Sequence, residues 1–249
     1  MRIALISDIH SNLEALQACL RHTQKQGVDR YAVLGDLVGY GADPIAVVER
    51  IASLRDAGAI VLMGNHDEAV IADEQTLNSA AREAVLWTRQ QLSPAHMEFL
   101  RGLPLQAQLD WMLLVHASAR QPEKFHYLQD VDAVVECLAA EHTGARLVAA
   151  GHVHEPRLWY HSGRLNTAAA FRPTAGTEIE LLPTRRWVAT IGSVGQPRDG
   201  NPAASYAIVD LAQARITFLR VPYDHVSAAK KIRAAGLSEW NAQRLSIGK

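Results

Sequence analysis

The chain has 249 residues, 48% of them hydrophobic and 20% charged, which is enough to build a large α/β core and is ordinary for a globular protein. Its 25 basic and 26 acidic residues leave a net charge of −1, which argues against nucleic-acid or anionic-membrane binding by bulk charge. It lacks both an apolar run of about 18 residues and a charged N-terminal segment followed by a long apolar one, so a cytoplasmic location is expected, with no membrane span and no leader.

Residues 2–7 read as a buried strand closed by Ser7-Asp8. Ser11-Asn12 then caps an amphipathic helix to about Lys25, with Leu13, Leu16 and Leu20 at helical spacing and Gly27 as the stop. Residues 31–34 form a second strand ended by Gly35-Asp36, and Asp43-Pro44 opens a helix to about Leu54. Residues 59–63 form a third strand ended by Gly64-Asn65-His66-Asp67. This βαβαβ order predicts a mostly parallel, helix-covered sheet. Asp8 to Asp36 is 28 residues and Asp36 to Asn65 is 29, one βα unit each time, so the three strand ends should share one rim. Ligands of open α/β sheets bind outside the carboxyl ends of strands.

Residues 78–91 read as a helix, and Ser93-Pro94 caps another to about Arg101. Residues 105–109 and 111–115 look like a hairpin whose second strand ends at His116-Ala117-Ser118. Helix 131–140 follows, then strand 145–150 leading into Gly151-His152-Val153-His154. Short strands are expected near 157–161, 164–168, 178–182, 186–190, 204–210 and 214–220, and the run Gly192–Gly200 is too rich in Gly and Pro for a regular element. Tyr223 to about Ala235 reads as a helix, and the last dozen residues as a capped helical tail. Without repeat or linker, the economical reading is one domain over 1–249, with the chemistry-bearing blocks in 1–200 and the late strands and tail in 201–249. The two cysteines, Cys19 and Cys137, fall in apolar helical patterns and are expected to be buried free thiols.

The polar strand ends supply Asp8, His10, Asp36, Asn65, His66, His116, His152 and His154. Two histidines one residue apart fit a loop rather than a helix, and a tight loop after a strand can aim both rings into one cavity. Carboxylate, imidazole and amide oxygen without thiolate suit Mn, Fe or Zn. So many donors exceed the needs of one ion; two ions about 3.5–4 Å apart, bridged by one carboxylate, would use them and could clamp a displacement at phosphorus. The other six of the 11 histidines read as surface or packing residues.

Asp8-Ile9-His10, Gly35-Asp36, Gly64-Asn65-His66-Asp67, His116 and Gly151-His152-Val153-His154 together resemble, in order, the five blocks of the calcineurin-like metallophosphoesterase superfamily. The run Ser193–Gly200 is similar to a small bacterial and archaeal branch described as diadenosine tetraphosphatase-like or phosphodiesterase-like. The resemblance implies an α/β fold, a four-layer αββα sandwich of two mixed β-sheets flanked by helices. It implies two divalent ions, Mn in first place and Fe or Zn as alternatives. Asp8, His10 and His154 would hold one ion, Asn65, His116 and His152 the other, and Asp36 would bridge them. A metal-bridging hydroxide would attack phosphorus, His66 would stabilise the transition state or protonate the leaving oxygen, and Asp67 would orient His66.

Two departures stand out. The second block lacks the Asp-Arg-Gly continuation of protein Ser/Thr phosphatases, which argues against a phosphoprotein substrate. Ala117 follows His116 where Gly is expected, which fits only if that position does not need a positive φ. Asn12 reads equally as a helix cap and as a phosphate contact. Arg120 and Arg198 are guanidinium candidates for further phosphates, against the alternative of solvated loop arginines. The expected function is therefore hydrolysis of a small phosphodiester, phosphoanhydride or phosphomonoester, nucleotides being favoured. A phosphoprotein phosphatase and a non-catalytic metal-stabilised scaffold are the rivals. The oligomeric state is left open, a homodimer among the alternatives.

Overall fold

A computed structural model describes residues 1–72, 79–161 and 168–249. The first elements are β1 (Arg2–Ile6), α1 (Leu13–Lys25), β2 (Arg30–Val33), α2 (Pro44–Asp56), β3 (Ile60–Val61) and α3 (Asn65–Ile71). Next come α4 (Ser79–Gln91), α5 (Pro94–Arg101), β4 (Gln106–Leu109), β5 (Met112–Val115), α6 (Val131–Ala140) and β6 (Leu147–Ala150). The last part holds β7 (Pro156–His161), β8 (Ala169–Phe171), β9 (Glu178–Glu180), β10 (Arg186–Ile191), β11 (Ala204–Asp210), β12 (Arg215–Val221), α7 (His225–Ala234) and α8 (Glu239–Ile247).

Among the described residues the strands form two mixed six-stranded sheets, ordered β3-β2-β1-β11-β12-β9 and β4-β5-β6-β10-β7-β8. In the first, β1, β2 and β3 run parallel, as the βα spacing predicts, and β11 joins β1 antiparallel. In the second, β4 and β5 are the expected hairpin, and β5, β6 and β10 run parallel.

Side-chain alternation builds the layers, because successive strand residues face opposite ways. In β1, Ile3 and Leu5 enter the core between the sheets, while Ala4 and Ile6 face α1 and α2. In β5, Met112 and Leu114 face the other sheet, while Leu113 and Val115 meet Val134, Cys137 and Leu138 of α6. The result is helix on sheet on sheet on helix, the αββα sandwich expected. Truncating fully buried Leu5 to Ala would cost about 2–5 kcal/mol. A further cluster joins Tyr40 and α4 to Ala228 and Ile232 of α7 and Leu245 of α8.

Two expectations are corrected. Strand 59–63 shrinks to two residues. The stretch read as its polar end begins helix α3, with Asp67 at its third position accepting from the Gly64 amide at 2.9 Å, half of a capping box. The expected strand 164–168 lies almost wholly outside the described residues. Cys19 and Cys137 are buried and free, as expected, and burial pushes the Cys19 thiol up to about 12. Among the described residues no helix is long and apolar enough to cross a membrane.

Candidate metal centre

The parallel strands β1, β2 and β3 end at one rim, and β5 and β6 end at the rim facing it across the sandwich. The chain then turns sharply. Asp8, His10, Asp36, His152 and His154 all have left-handed backbones, with φ of 54°, 49°, 52°, 64° and 63°. Non-glycine residues seldom adopt this region, and its concentration at one place is typical of functional sites. It is also how His152 and His154, two residues apart, reach the same cavity. Gly151 before them admits Ser7 and Asp8 so closely that a Cβ would strike both side chains. Ala117 is not in the left-handed region, so alanine costs nothing there.

Two groups of donors result. Ligand atoms of Asp8, His10, Asp36 and His154 lie within 4.8 Å of one another, as do those of Asp36, His116 and His152. Asp36 belongs to both, the bridging position implied by the family resemblance. All six residues are buried. Asn65, at the start of α3, brings Oδ1 to 3.1 Å from His116 Nε2 and so joins the second group.

The ring tautomers decide what these donors can hold. His10 Nδ1 donates to the Val38 carbonyl at 3.1 Å, and His154 Nδ1 to the Gln196 carbonyl at 2.6 Å. A carbonyl only accepts, so the proton of each neutral ring is on Nδ1 and each Nε2 carries a bare lone pair. Those two Nε2 atoms face each other at 3.1 Å. His154 Nε2 is also 3.2 Å from Asp8 Oδ1, and His10 Nε2 is 3.6 Å from Asp36 Oδ2. Lone pairs and carboxylates thus converge out of water, an arrangement that calls for a cation. His152 Nε2 is likewise buried without a hydrogen-bond partner. The residues fit two divalent ions, one per group. Carbonyl-anchored imidazoles are the usual support of such sites.

Electrostatics agree. Burial pushes His10 and His154 below the usual imidazole range, and His152 down to about 3. Burial also lowers His116, but Asp36, Asp8 and the hydrogen bonds to Asp36 and Leu34 outweigh it and raise the ring to about 9. Its Nδ1 donates to the Leu34 carbonyl at 2.7 Å, and its Nε2 faces Asp36 Oδ2 at 3.5 Å, so the protonated ring partly supplies the positive charge of an ion. Burial raises the Asp36 carboxyl; His116, His66 and His10 outweigh it and hold the group well below its ordinary value.

His66 belongs to neither group. Its backbone N–H donates to Asp36 Oδ1 at 2.8 Å, and its ring packs between His10 and Tyr40, with centroids 4.9 and 4.5 Å away. The ring edge abuts Gly39, where φ is 90° and a Cβ would come 2.6 Å from Nδ1. Burial, reinforced by His154 and Arg198 against Asp36, pushes the imidazole down to about 4.

Other expectations need correction. Asp67 does not orient His66. Its carboxylate accepts from the backbone amides of Leu37, Val38 and Gly64 at 2.9, 3.2 and 2.9 Å, tying the second and third strand ends together. Asn12 is the helix cap: Oδ1 accepts from Ala15, and Nδ2 donates to the Gly195 carbonyl and Tyr223 hydroxyl, leaving no free group for phosphate. Arg120 is drawn outward into an ion pair with Glu136 of α6. Arg198, by contrast, approaches the centre from the Gly192–Gly200 run, its guanidinium 5.7 Å from the Tyr40 ring. Sequence patterns did not point to Tyr127, which is exposed and stacks on His152 at 3.9 Å, or to Phe125, which meets His116 edge-on at 5.7 Å. Nothing in their local sequence marks them, because a loop contact across the sheets has no periodicity.

The chain belongs to the calcineurin-like phosphoesterase superfamily, whose domain model matches residues 1–214. Over 99% of its length it is 36% identical to the uncharacterized protein MJ0912 of Methanocaldococcus jannaschii, covering 98% of that protein. A metallophosphoesterase from Sphaerobacter thermophilus superposes with a TM-score of 0.86 at 36% identity, covering all of this chain and 99% of that one. The hypothetical protein PH1004 from Pyrococcus horikoshii OT3 shares the fold, with a TM-score of 0.78, 19% identity and coverage of 100% and 98%.

Proposed function

We propose that the protein is a metal-dependent phosphoesterase. It hydrolyses small phosphate esters or anhydrides, with nucleotides the favoured class, at a centre holding two divalent ions. The observation that carries this reading is the convergence of bare imidazole nitrogens on two carboxylates, with Asp36 common to both groups. Asp8, His10, Asp36 and His154 would hold one ion and Asp36, Asn65, His116 and His152 the other. Bound there, the ions supply Lewis-acid stabilisation of charge at phosphorus and make water acidic enough to attack at neutral pH. The rest falls to the chain. Burial of the two carboxylates and four imidazoles limits bulk solvent there and strengthens each electrostatic contact. The His66 imidazole, neutral at pH 7, offers an N–H to a phosphoryl or leaving oxygen. Arg198 meets the negative charge of the substrate. The nucleotide preference rests on the likeness of the Ser193–Gly200 run to the dinucleoside-polyphosphatase-like branch.

The test is hydrolysis by metal-stripped protein with Mn²⁺ restored, on a monoester, a diester, a dinucleoside tetraphosphate and a phosphopeptide, with His66→Ala in parallel. Mn-dependent turnover of a small substrate that collapses in the variant supports the reading. Activity confined to the phosphopeptide would replace it with a phosphoprotein phosphatase. Loss of no activity in His66→Ala would contradict the role given to that residue.

A further inference from the structure

The family match ends at residue 214, yet the chain beyond it folds back onto the metal centre. Lys231 of α7 bonds Asp43 at 2.8 Å and Glu14 at 2.6 Å, Tyr223 accepts from Asn12, and the Gly200 amide donates to the Gly248 carbonyl at 2.8 Å. Ala242 and Leu245 of α8 pack in the same apolar cluster as Tyr40.

This docking brings Arg244 beside Arg198. Their guanidinium carbons lie 6.0 and 5.7 Å from the same Tyr40 ring, whose other neighbours are His66 and His10 at 4.5 and 4.8 Å. Arg244 also packs on Trp240 at 5.6 Å. Among the described residues no Asp or Glu pairs with either arginine. Arg198 Nη2 bonds the Gln196 side chain at 2.8 Å, and its Nε is buried without a partner. Arg244 Nε bonds only the Lys249 backbone oxygen. Burial, reinforced by the nearby Arg198 against Tyr40, draws Arg244 down to about 10. Such a pair is costly until an anion joins it, and guanidinium forks match phosphate.

We infer that Arg198 and Arg244 form an anion subsite beside the metal centre that holds a second phosphate, so that the preferred substrate contains a phosphoanhydride. This rests on the phosphoesterase reading and narrows it. One phosphoryl group would lie at the metal ligands, and the next would reach past Tyr40 to the arginines. Hydrolysis then adds the hydroxyl of water to the first phosphorus and the proton of water to the oxygen that leaves with the second.

The experiment compares Mn-loaded wild type, Arg244→Gln and Arg244→Lys on p-nitrophenyl phosphate, inorganic pyrophosphate and a dinucleoside tetraphosphate. In parallel, calorimetry measures binding of pyrophosphate and of orthophosphate. Arg244→Gln is expected to lose kcat/KM on the anhydrides by at least about tenfold more than on the monoester, mainly through KM, with partial rescue by Lys. Equal losses on all substrates, or none, would overturn the subsite. Which anhydride is turned over faster tells whether the phosphates come with a nucleoside. If wild type hydrolyses nothing, the calorimetry still decides. Pyrophosphate binding stronger than orthophosphate binding, and weakened by Arg244→Gln, would uphold the subsite while the hydrolytic reading fails. Equal binding of the two would sink the subsite itself.

Discussion

The two donor groups share Asp36 but are built differently. In the first, His10 and His154 are pinned through Nδ1 to backbone carbonyls, and Asp8 is further fixed by two contacts from the His152 amide at 3.1 and 3.0 Å. In the second, only His116 has such a pin. His152 has no hydrogen bond at Nε2 and is covered by the exposed ring of Tyr127. The first group is preorganised and closed, and the second opens toward the loop that brings Phe125 and Tyr127. Preorganised ligands lose less freedom on binding, so the first group should hold its ion more tightly and the second should exchange.

The largest expected effect would erase this contrast. Asp36→Ala removes a donor from both groups, and kcat/KM should fall at least about a thousandfold, with metal lost from both, as read by kinetics and elemental analysis. His66→Ala should keep both metals and lower kcat on the order of 10²–10⁴-fold. The contrast itself is sharpened by single-group variants. His152→Ala should retain one tight ion, whereas His10→Ala should weaken the tight site, with affinities differing by about 10–100-fold in a chelator titration. Equal loss in the two variants would break the comparison.

A pH effect separates the groups further. His116 must lose a proton to ligate, and its ring titrates near 9 in the metal-free chain. Filling the second group at pH 7 should therefore release about one proton, and affinity should rise with pH toward 9, as calorimetry in buffers of different ionisation enthalpy would show. In the metal-free protein the raised His116 value contributes stability that is complete below its ordinary 6.5 and lost as pH rises through about 9. Its melting temperature should therefore decline over that window, and metal-loaded protein should not share this decline. The smallest effects lie outside both groups. Asn12→Ala should cost about 1 kcal/mol of stability as a lost cap, and Arg120→Ala should leave kcat/KM unchanged.

Much of the centre was legible because βα units repeat. A polar residue closing each strand of a repeated βα unit comes to the same rim, so the strand ends at Asp8, Asp36 and Asn65 could be placed from spacing, and the ordered blocks marked the rest. What was not legible depends on tertiary contacts. The start of α3 was hidden because Gly64-Asn65-His66-Asp67 reads as well as a turn as it does as a helix start. Asp67 was assigned to its sequence neighbour, yet its partners are the amides of Leu37 and Val38 on a neighbouring strand end and of Gly64 on its own. Asn12 could be a cap or a ligand, and only its three partners decide. Arg244 lies some ninety positions beyond His154 in a helix of ordinary composition, and nothing short of the docked tail reveals it.

The central claim is that these residues hold two divalent ions around Asp36. Elemental analysis of purified protein and of Asp36→Ala, after equilibration with Mn²⁺ and removal of free metal, tests it most directly. Two ions per chain in the wild type, and a fraction of that in the variant, is the expected result. A wild type that retains none, or a variant that retains both, would contradict the account.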